Sequence, residues 1–558
     1  GKWLEAPLGD KAEAYNDDVR FQAAVGDALE VKRLVVLAAT MQHGGGGGLA
    51  AAMDTVLPLQ ASSVDLTGFP LGTTGWITAS EVEGESKEVG AKVVYQGREM
   101  VVGVTRDSED EEDSEDEEDD GNLKLVDDEM VGTVVAWMKS EPSALTSLKL
   151  DWGKACGCVR EAVLGVVRTT RTLIVLSVGE EGAMPLNPLQ LNGREAVKSL
   201  DLSNKGLGPG SAAVVAAGLS VNGVLKTLNL DGHQLDLPKL RGTDSVTSLD
   251  LSRKGLGPAS AIVIASLVAG NEVLTDLNLS GNNIGGGTGW IKASEVEGES
   301  KEVGSKVIYQ GREMVVSVGV DSDGELKLVD VVQTGVLAIA KALEVNEVLK
   351  NLDVRRNEIS GDAAQPLATA VLASPSLEIF GSVPLKELRA NTLDKLDLSG
   401  NDLGVPEALV LAKLVEGSGV LTKLSLDGHE LELPQLRGTD PVISLDLSDK
   451  RLGPASAVVI ASLIAGNAVL TNLVLWGNNI GDKGAKALAS ALRVNGVLET
   501  LDLEDNTIRD EGAKALASAL RVNGVLNNIN LRFNALGDEG KGAIRDAVSG
   551  REGFKLQM

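Results

Sequence analysis

Three histidines, two cysteines and one dense run of carboxylates are the residues best equipped for chemistry in this chain of 558 residues. His43, His233 and His429 are far apart, and the last two occupy the same place in two near-identical stretches, LDGHQLDLPKLRGTD and LDGHELELPQLRGTD. A histidine engaged in acid–base or metal work needs converging partners. One that recurs together with its surrounding text reads as a turn element. Cys156 and Cys158 are separated by a single residue and have no two further ligands nearby, which argues against zinc. No HExxH, GxSxG or P-loop pattern occurs. The Gly-rich strings GLGPG (206–210) and GNNIGGGTG (281–289) follow apolar segments and read as turns rather than phosphate cradles. The tetrad Asp321-Ser322-Asp323-Gly324 has the start of a calcium loop without its distal bidentate Glu, so a turn is expected there too. These residues predict no catalytic group, no metal site and no cofactor.

The carboxylate run DSEDEEDSEDEEDD, residues 107–120, holds twelve acidic residues in fourteen and should be solvated and disordered by self-repulsion. Ser108 and Ser114 stand directly before acidic residues; phosphate there would deepen the negative charge, which makes both candidate regulatory sites. Over the whole chain 80 Asp and Glu outweigh 52 Lys and Arg, for a net charge of −28. Such a chain is repelled by nucleic-acid phosphates and anionic membrane surfaces, and 3% aromatics supplies few base-stacking platforms. Nucleic acid is therefore not an expected partner, whereas a basic protein is. No apolar run approaches the ~20 residues that span a bilayer, so membrane insertion is not expected. Two cysteines build no disulfide framework and fit a reducing compartment. The chain opens at Gly1 without a signal-like stretch, and the expected location is intracellular, cytoplasmic or organellar after removal of a presequence.

The elements that must position any functional side chain come from a repeat. An apolar residue is followed by apolar residues three, five and ten positions later and a polar one at eight, as in Leu470, Leu473, Leu475, Asn478 and Ile480. Leu498, Leu501, Leu503, Asn506 and Ile508 repeat it 28 residues later, and Leu526, Ile529, Leu531, Asn534 and Leu536 after another 28. Further frames open at Val197, Leu225, Val246, Leu274, Leu349, Leu393, Leu421 and Val442, with weaker ones at Leu145 and Ala61. Positions three and five have the alternation of a half-buried strand. The following run, such as Asp482 to Val494, places Ala485, Leu488, Ala489 and Leu492 on one helix face, and Asn495-Gly496 is a helix-stop signal.

These residues resemble the leucine-rich repeat family, and their 28-residue period resembles its ribonuclease-inhibitor-like class. The resemblance implies an α/β solenoid (a horseshoe), with a parallel β-sheet on the concave side and helices on the convex side. Two features depart from the period. The HQLDLPKL and HELELPQL units span 21 residues and carry Pro238 and Pro434 where a helix would run, so they are expected to be helixless. Near-identical inserts open at Trp76 and Trp290, which are expected to pin them, and read as two small β-meanders projecting from the solenoid. The predicted organisation is an N-terminal cap (1–30), irregular repeats (31–192) carrying the first β insert (73–127), regular repeats (193–285), the second insert (286–330), regular repeats (331–536) and a C-terminal cap (537–558).

Position four of each frame points outward between the two buried strand residues. It reads Asp201, Asn229, Asp250, Asn278, Asp353, Asp397, Ser425, Asp446, Val474, Asp502 and Asn530 along the chain. Neutral residues between most of the aspartates lessen their repulsion across strands ~4.8 Å apart. Trp476, at position six beside Val474, stands where other copies carry Ser203, Ser252 or Ser448. Asp201, Asp250, Asp353, Asp397, Asp446, Asp502, Val474 and Trp476 are thus the candidate partner-binding residues. The function these features imply is a non-enzymatic scaffold or adaptor for protein partners, or a subunit of a larger complex. Two alternatives are a regulator of small GTPases, since Ran-type GTPase-activating proteins are similar in pairing a repeat crescent with an acidic segment, and a structural spacer in a filament or organellar assembly.

Overall fold

Short strands and helices alternate because each repeat offers two or three leucines to one face of a strand and an apolar run to the helix that follows. The computed structural model describes Met138 and residues 145–558 apart from 153–154, 156, 179–183, 204, 299, 302–304, 310–311 and 321–322, and before them the backbone of seven strands between residues 22 and 126. The acidic run with Ser108 and Ser114, residues 44–48, His43, Trp76 and Cys156 lie outside the described residues. Two units are present, Gly1–Leu237 and Pro238–Met558.

In the first unit, β1 (Gln22–Ala24), β2 (Lys32–Arg33) and β3 (Ser63–Asp65) join β8 (Ser147–Leu150) and β9 (Val175–Val178) in one sheet of order β2-β1-β3-β8-β9. Val64, Leu148 and Leu176 are in parallel register, which reveals a frame at Leu173 that the sequence pattern did not bring out. Between them lies the first insert, where β4 (Ile77–Thr78), β5 (Lys92–Tyr95), β6 (Arg98–Arg106) and β7 (Asn122–Val126) form a sheet of order β4-β7-β6-β5. Helix α1 (Gly157–Thr169) buries Val159, Val163 and Val167, and the short α2 (Pro188–Leu191) is capped by Asn187. Beyond it, β10 (Ser199–Asp201) and β11 (Thr227–Asn229) run parallel on either side of α3 (Pro209–Leu219), and β12 (Gln234–Asp236) folds back antiparallel on β11. Helix α4 (Leu237–Arg241) follows.

The second unit begins with β13 (Ser248–Asp250), α5 (Pro258–Val268) and β14 (Asp276–Asn278). The second insert holds β15 (Ile291–Lys292), β16 (Lys306–Tyr309), β17 (Arg312–Val318) and β18 (Glu325–Asp330). Then come α6 (Thr334–Leu343), β19 (Asn351–Asp353), α7 (Gly361–Ala373), β20 (Ile379–Phe380), β21 (Val383–Pro384), α8 (Leu385–Arg389), β22 (Lys395–Asp397) and α9 (Val405–Glu416). The series continues with β23 (Lys423–Leu426), β24 (His429–Glu432), α10 (Leu433–Arg437), β25 (Ser444–Asp446), α11 (Pro454–Ala465) and β26 (Asn472–Val474). It ends with α12 (Gly481–Val494), β27 (Thr500–Asp502), α13 (Asp510–Val522), β28 (Asn528–Asn530), α14 (Asp538–Val548) and β29 (Lys555–Gln557).

Register follows the frame. Leu445, Leu473, Leu501, Ile529 and Leu556 pair in sequence across β25 to β29, so the C-terminal segment contributes a last strand as well as a helix. Leu473, Leu475 and Ile480 are fully buried, and burying one such side chain contributes about 1.5–3 kcal/mol. Helices α5, α6, α7, α9, α11, α12, α13 and α14 each pack on the next, forming the second layer. Close approach of α11 and α12 requires Gly484, where a Cβ would lie 2.4 Å from Ile480 Cγ2 and 2.7 Å from Ala457 Cβ. Gly484→Ala should therefore cost about 1–3 kcal/mol, read as a lowered thermal midpoint; an unchanged midpoint would show that the two helices can move apart freely.

Buried asparagines tie several repeats to the one before. Asn495 donates to the carbonyls of Ile464 (2.7 Å) and Asn467 (3.2 Å) while accepting from the N–H groups of Val497 and Leu498. Asn271, Asn346, Asn467 and Asn523 do the same at the ends of other helices. The Asn-Gly pair that reads as a stop signal is thus also a link between repeats.

The single parallel sheet expected from the frame is replaced by several small ones. In the second unit the orders are β13-β14-β19-β20-β21, β22-β23-β24 and β25-β26-β27-β28-β29, with β21 and β24 antiparallel to their neighbours. The short repeats are also not helixless. Each hairpin leads into a five-residue helix, α4, α8 or α10. Pro434 sits in the first turn of α10, where the missing N–H has no intrahelical partner to lose.

The second insert has the order β15-β18-β17-β16, the same as the first, with a bulge at Val316/Val318 matching that at Val102/Val104. Val296, Val307, Met314, Val316, Leu326 and Leu328 give it a core of its own. An isolated bridge between Glu297 and Ile308 covers part of the outer edge of β16. Trp290 does not act as the expected pin: it is 48% exposed, and its ring carries the ammonium of Lys327, from the insert itself, at 5.1 Å.

Candidate partner-binding surface

Residues two, four and six positions into each frame leave the core on the outward side of the strands. In the first unit Asp201 pairs in register with Asn229. In the second, Asp250, Asn278 and Asp353 form one row; Asp397 stands opposite Ser425; and Asp446, Val474, Asp502 and Asn530 form another. The structure thus brings Asp446, Val474 and Asp502 together on three adjoining strands, while Asp397 belongs to a separate sheet.

A local role for position four escaped the sequence reading. Oδ1 of Asp201, Asp250, Asp397 and Asp446 accepts the backbone N–H two residues on, each at 2.9 Å, and Asp353 and Asp502 do so at 3.0 Å. These Asx turns end the strand, and Asn278 and Asn530 make the same turn. Hydrogen bonds from Ser203, Ser252, Ser399 and Ser448 hold the four serine-flanked carboxyls below the usual aspartate range. They therefore stay anionic at neutral pH.

The rows differ in charge. Asp353 is chelated by the Arg355 guanidinium at 2.7 and 3.0 Å, and Arg355 also donates to the Asn401 carbonyl. A shallow hollow of about 260 Å³ lies over this row, lined by Asp250, Asp276, Asn278, Asn351, Asp353 and Gly381 among others. On the middle sheet Lys423 pairs with Glu430 and Glu432, so that face is mixed in sign. On β25 to β27, Val474 is half-buried between Asp446 and Asp502, and Trp476 is 38% exposed. The Trp476 carbonyl accepts from Asp449 N–H (2.9 Å) and Asn478 Nδ2 (3.3 Å), which fixes the backbone beneath the indole.

A second hollow, of about 270 Å³, has walls drawn from the turns at 354–359 and 402–407, the start of α11 and Lys483. Glu407, 1% exposed, accepts the Gly404 N–H through Oε2 at 3.1 Å, whereas its Oε1 has no hydrogen-bond partner. Burial pushes its carboxyl up to about 7, and burial likewise lowers the Lys483 ammonium. The reason for Glu407 lies in the preceding hairpin. Asp427, in the longer β23–β24 hairpin, reaches forward to cap α11 through Gly453 N–H (2.8 Å) and Ser456 Oγ (2.5 Å). The β20–β21 hairpin is shorter, and α9 is capped from within by its own Glu407. The signal was the Gly404 to Glu407 spacing of a capping box. Among the described residues no group of three or more His, Cys, Asp or Glu is placed to hold a metal ion. His429 stands in β24 opposite Leu426, half-buried, and burial lowers its imidazole.

Residues 270–287, 345–368, 466–489 and 494–517 match the family model described as Leucine Rich repeat. The last three stretches cover β19, β26 and β27 with the beginnings of their helices, and the first covers β14. No curated protein matches the chain.

Proposed function

We propose that this leucine-rich repeat protein is a non-enzymatic scaffold whose protein partners dock on the outward side chains of its strands. Repeats of this family generally mediate protein–protein interaction, which supports the reading. The observation that carries it is the contrast between the two sides of the strands. The inward leucines hardly change from β25 to β28, while the outward residues run Asp446, Val474, Asp502, Asn530. An unchanging support with a variable outer row suits recognition rather than catalysis. A concave arrangement of these rows would gather their carboxylates toward a basic partner. The acidic run 107–120 would add long-range attraction, strengthened by phosphate on Ser108 or Ser114.

Cross-linking and co-purification of the full chain from its native source tests this. The expected result is a stoichiometric protein partner that dissociates as salt rises and is lost on the double charge reversal Asp250→Lys/Asp446→Lys. Retention of every partner by that variant, at all salt concentrations, would overturn it.

A further inference from the structure

A copy within the chain shows which outward residues the fold does not need. Residues 225–285 recur at 421–481, offset by 196, and the elements recur with them: β13, α5 and β14 in one copy, β25, α11 and β26 in the other. The frame residues around the last strand are unchanged, Leu277, Leu279, Asn282 and Ile284 becoming Leu473, Leu475, Asn478 and Ile480. All three outward residues differ: Asp276, Asn278 and Ser280 are replaced by Asn472, Val474 and Trp476. The strand β14 folds with Asn278 accepting both the Ser280 N–H (3.0 Å) and the Ser280 hydroxyl (2.7 Å). Val474 cannot form that turn. The second copy forgoes a local hydrogen-bonded closure and exposes an indole, and neither change serves the strand itself.

The flanks differ in the same direction. Beside β14, position six of the next strand is Arg355, which chelates Asp353 within the chain. Beside β26 the corresponding residue is Glu504, and the residue matching Asp353 is Asp502. Asp446 stands on the other side, directly opposite Val474. Asp446 and Asp502 each commit Oδ1 to a strand-ending N–H. Glu504 meets Asn530 Nδ2 at 2.6 Å and the Arg532 guanidinium at 3.5 Å, on the side away from Trp476. Where the first copy holds its own guanidinium against an aspartate, the second presents an aromatic face and an aliphatic floor between two carboxylates.

We infer that the strip formed by Val474 and Trp476 between Asp446 and Asp502 receives an arginine side chain of a protein partner. The inference rests on the scaffold reading and supplies the chemistry of its partner. The aliphatic stem of the arginine lies along Val474, the guanidinium stacks on the Trp476 indole, and its N–H groups meet the flanking carboxylates. Stacking and forked hydrogen bonding favour arginine over lysine.

The test uses a positional-scanning library of linear dodecapeptides on the full chain, followed by titration of one enriched peptide. The key variant is Val474→Asn/Trp476→Ser, because the chain already folds a strand with those two residues in β14. The expected results are enrichment of arginine over lysine at one position and an affinity loss of about tenfold in that variant. Asp446→Asn/Asp502→Asn should weaken binding and flatten its salt dependence. Enrichment without arginine, or binding that survives Val474→Asn/Trp476→Ser within twofold, would overturn the inference; if Asp250→Lys then abolishes that binding, the scaffold reading stands. Should the library yield no binder, the co-purified partner is measured against the same variant, and undiminished retention overturns the inference. Absence of any partner as well overturns both.

Discussion

Asn478→Ala should lower the stability of the C-terminal repeats by about 4 kcal/mol, more than any single leucine truncation of average cost. Besides its longer bond to the Trp476 carbonyl, the Asn478 amide makes four bonds at once. Oδ1 accepts from Lys450 N–H and Leu452 N–H at 3.0 Å, and Nδ2 donates to the Leu447 and Leu475 carbonyls at 2.9 and 2.7 Å. Three of the four partners belong to the preceding repeat. Truncation strands backbone groups at a site that is 7% exposed, and each unpaired group costs about 1–3 kcal/mol. The neighbouring Asn479, exposed, with a side chain that accepts from the Thr507 hydroxyl at 3.0 Å, is the control: Asn479→Ala should stay within about 0.5 kcal/mol. Urea midpoints of the two variants measure the difference, and a loss below about 1 kcal/mol at Asn478 would show that water or a relaxed backbone replaces the amide.

Glu407→Gln should make the protein more stable in alkali and change little in mild acid. The Glu407 carboxyl is raised from 4.5 to about 7, first by burial and also by the nearby Asp353 carboxylate, against the opposing pull of the Gly404 N–H and the Arg355 guanidinium. Because the folded value exceeds the unfolded one, the native state binds the proton more tightly. Its contribution is complete below 4.5 and disappears as pH climbs through about 7. That interval corresponds to roughly 3 kcal/mol. Arg356 and Asp402 pair with each other across the hollow, and Lys483 is itself desolvated there, so no cation is bonded to the unpartnered oxygen. Glutamine keeps the cap on Gly404 without the buried charge. Denaturant midpoints near pH 4 and pH 8.5 should converge for the two proteins at the lower pH and diverge by up to about 3 kcal/mol at the higher. Parallel curves would mean that Glu407 stays solvated.

Residues whose role depends on local periodicity were legible from the chain alone. Leu473, Leu475 and Ile480 are buried where the frame places them, and Asn478 sits at the turn assigned to it. Both inserts form antiparallel β-sheets, as their alternation requires. What escaped was anything settled by a competing partner. Asp446 reads as a free surface carboxylate, yet it also terminates its strand through Ser448. Pro434 reads as a helix breaker, yet it falls in the one turn where it breaks nothing. Asp353 reads as part of an anionic row, yet Arg355, two residues on, neutralises it. The Gly404 to Glu407 spacing marks Glu407 only as a helix cap, because its hollow is assembled from turns up to 129 positions apart, from Val354 to Lys483.

The antiparallel strands β21 and β24 have a consequence for how such a chain can grow. Each seals the ladder before it, so β22 and β25 begin afresh and take no backbone hydrogen bonds from the sheet they follow. A gene segment ending at such a seam can be copied in tandem without forcing a backbone register on its neighbours. Only the helical layer must be matched across the join, where α7 packs on α9 and α9 on α11. Residues 225–285 and their copy at 421–481 each span such a seam, so lengthening by cassette, with new outward residues sampled on a finished support, is open to this protein.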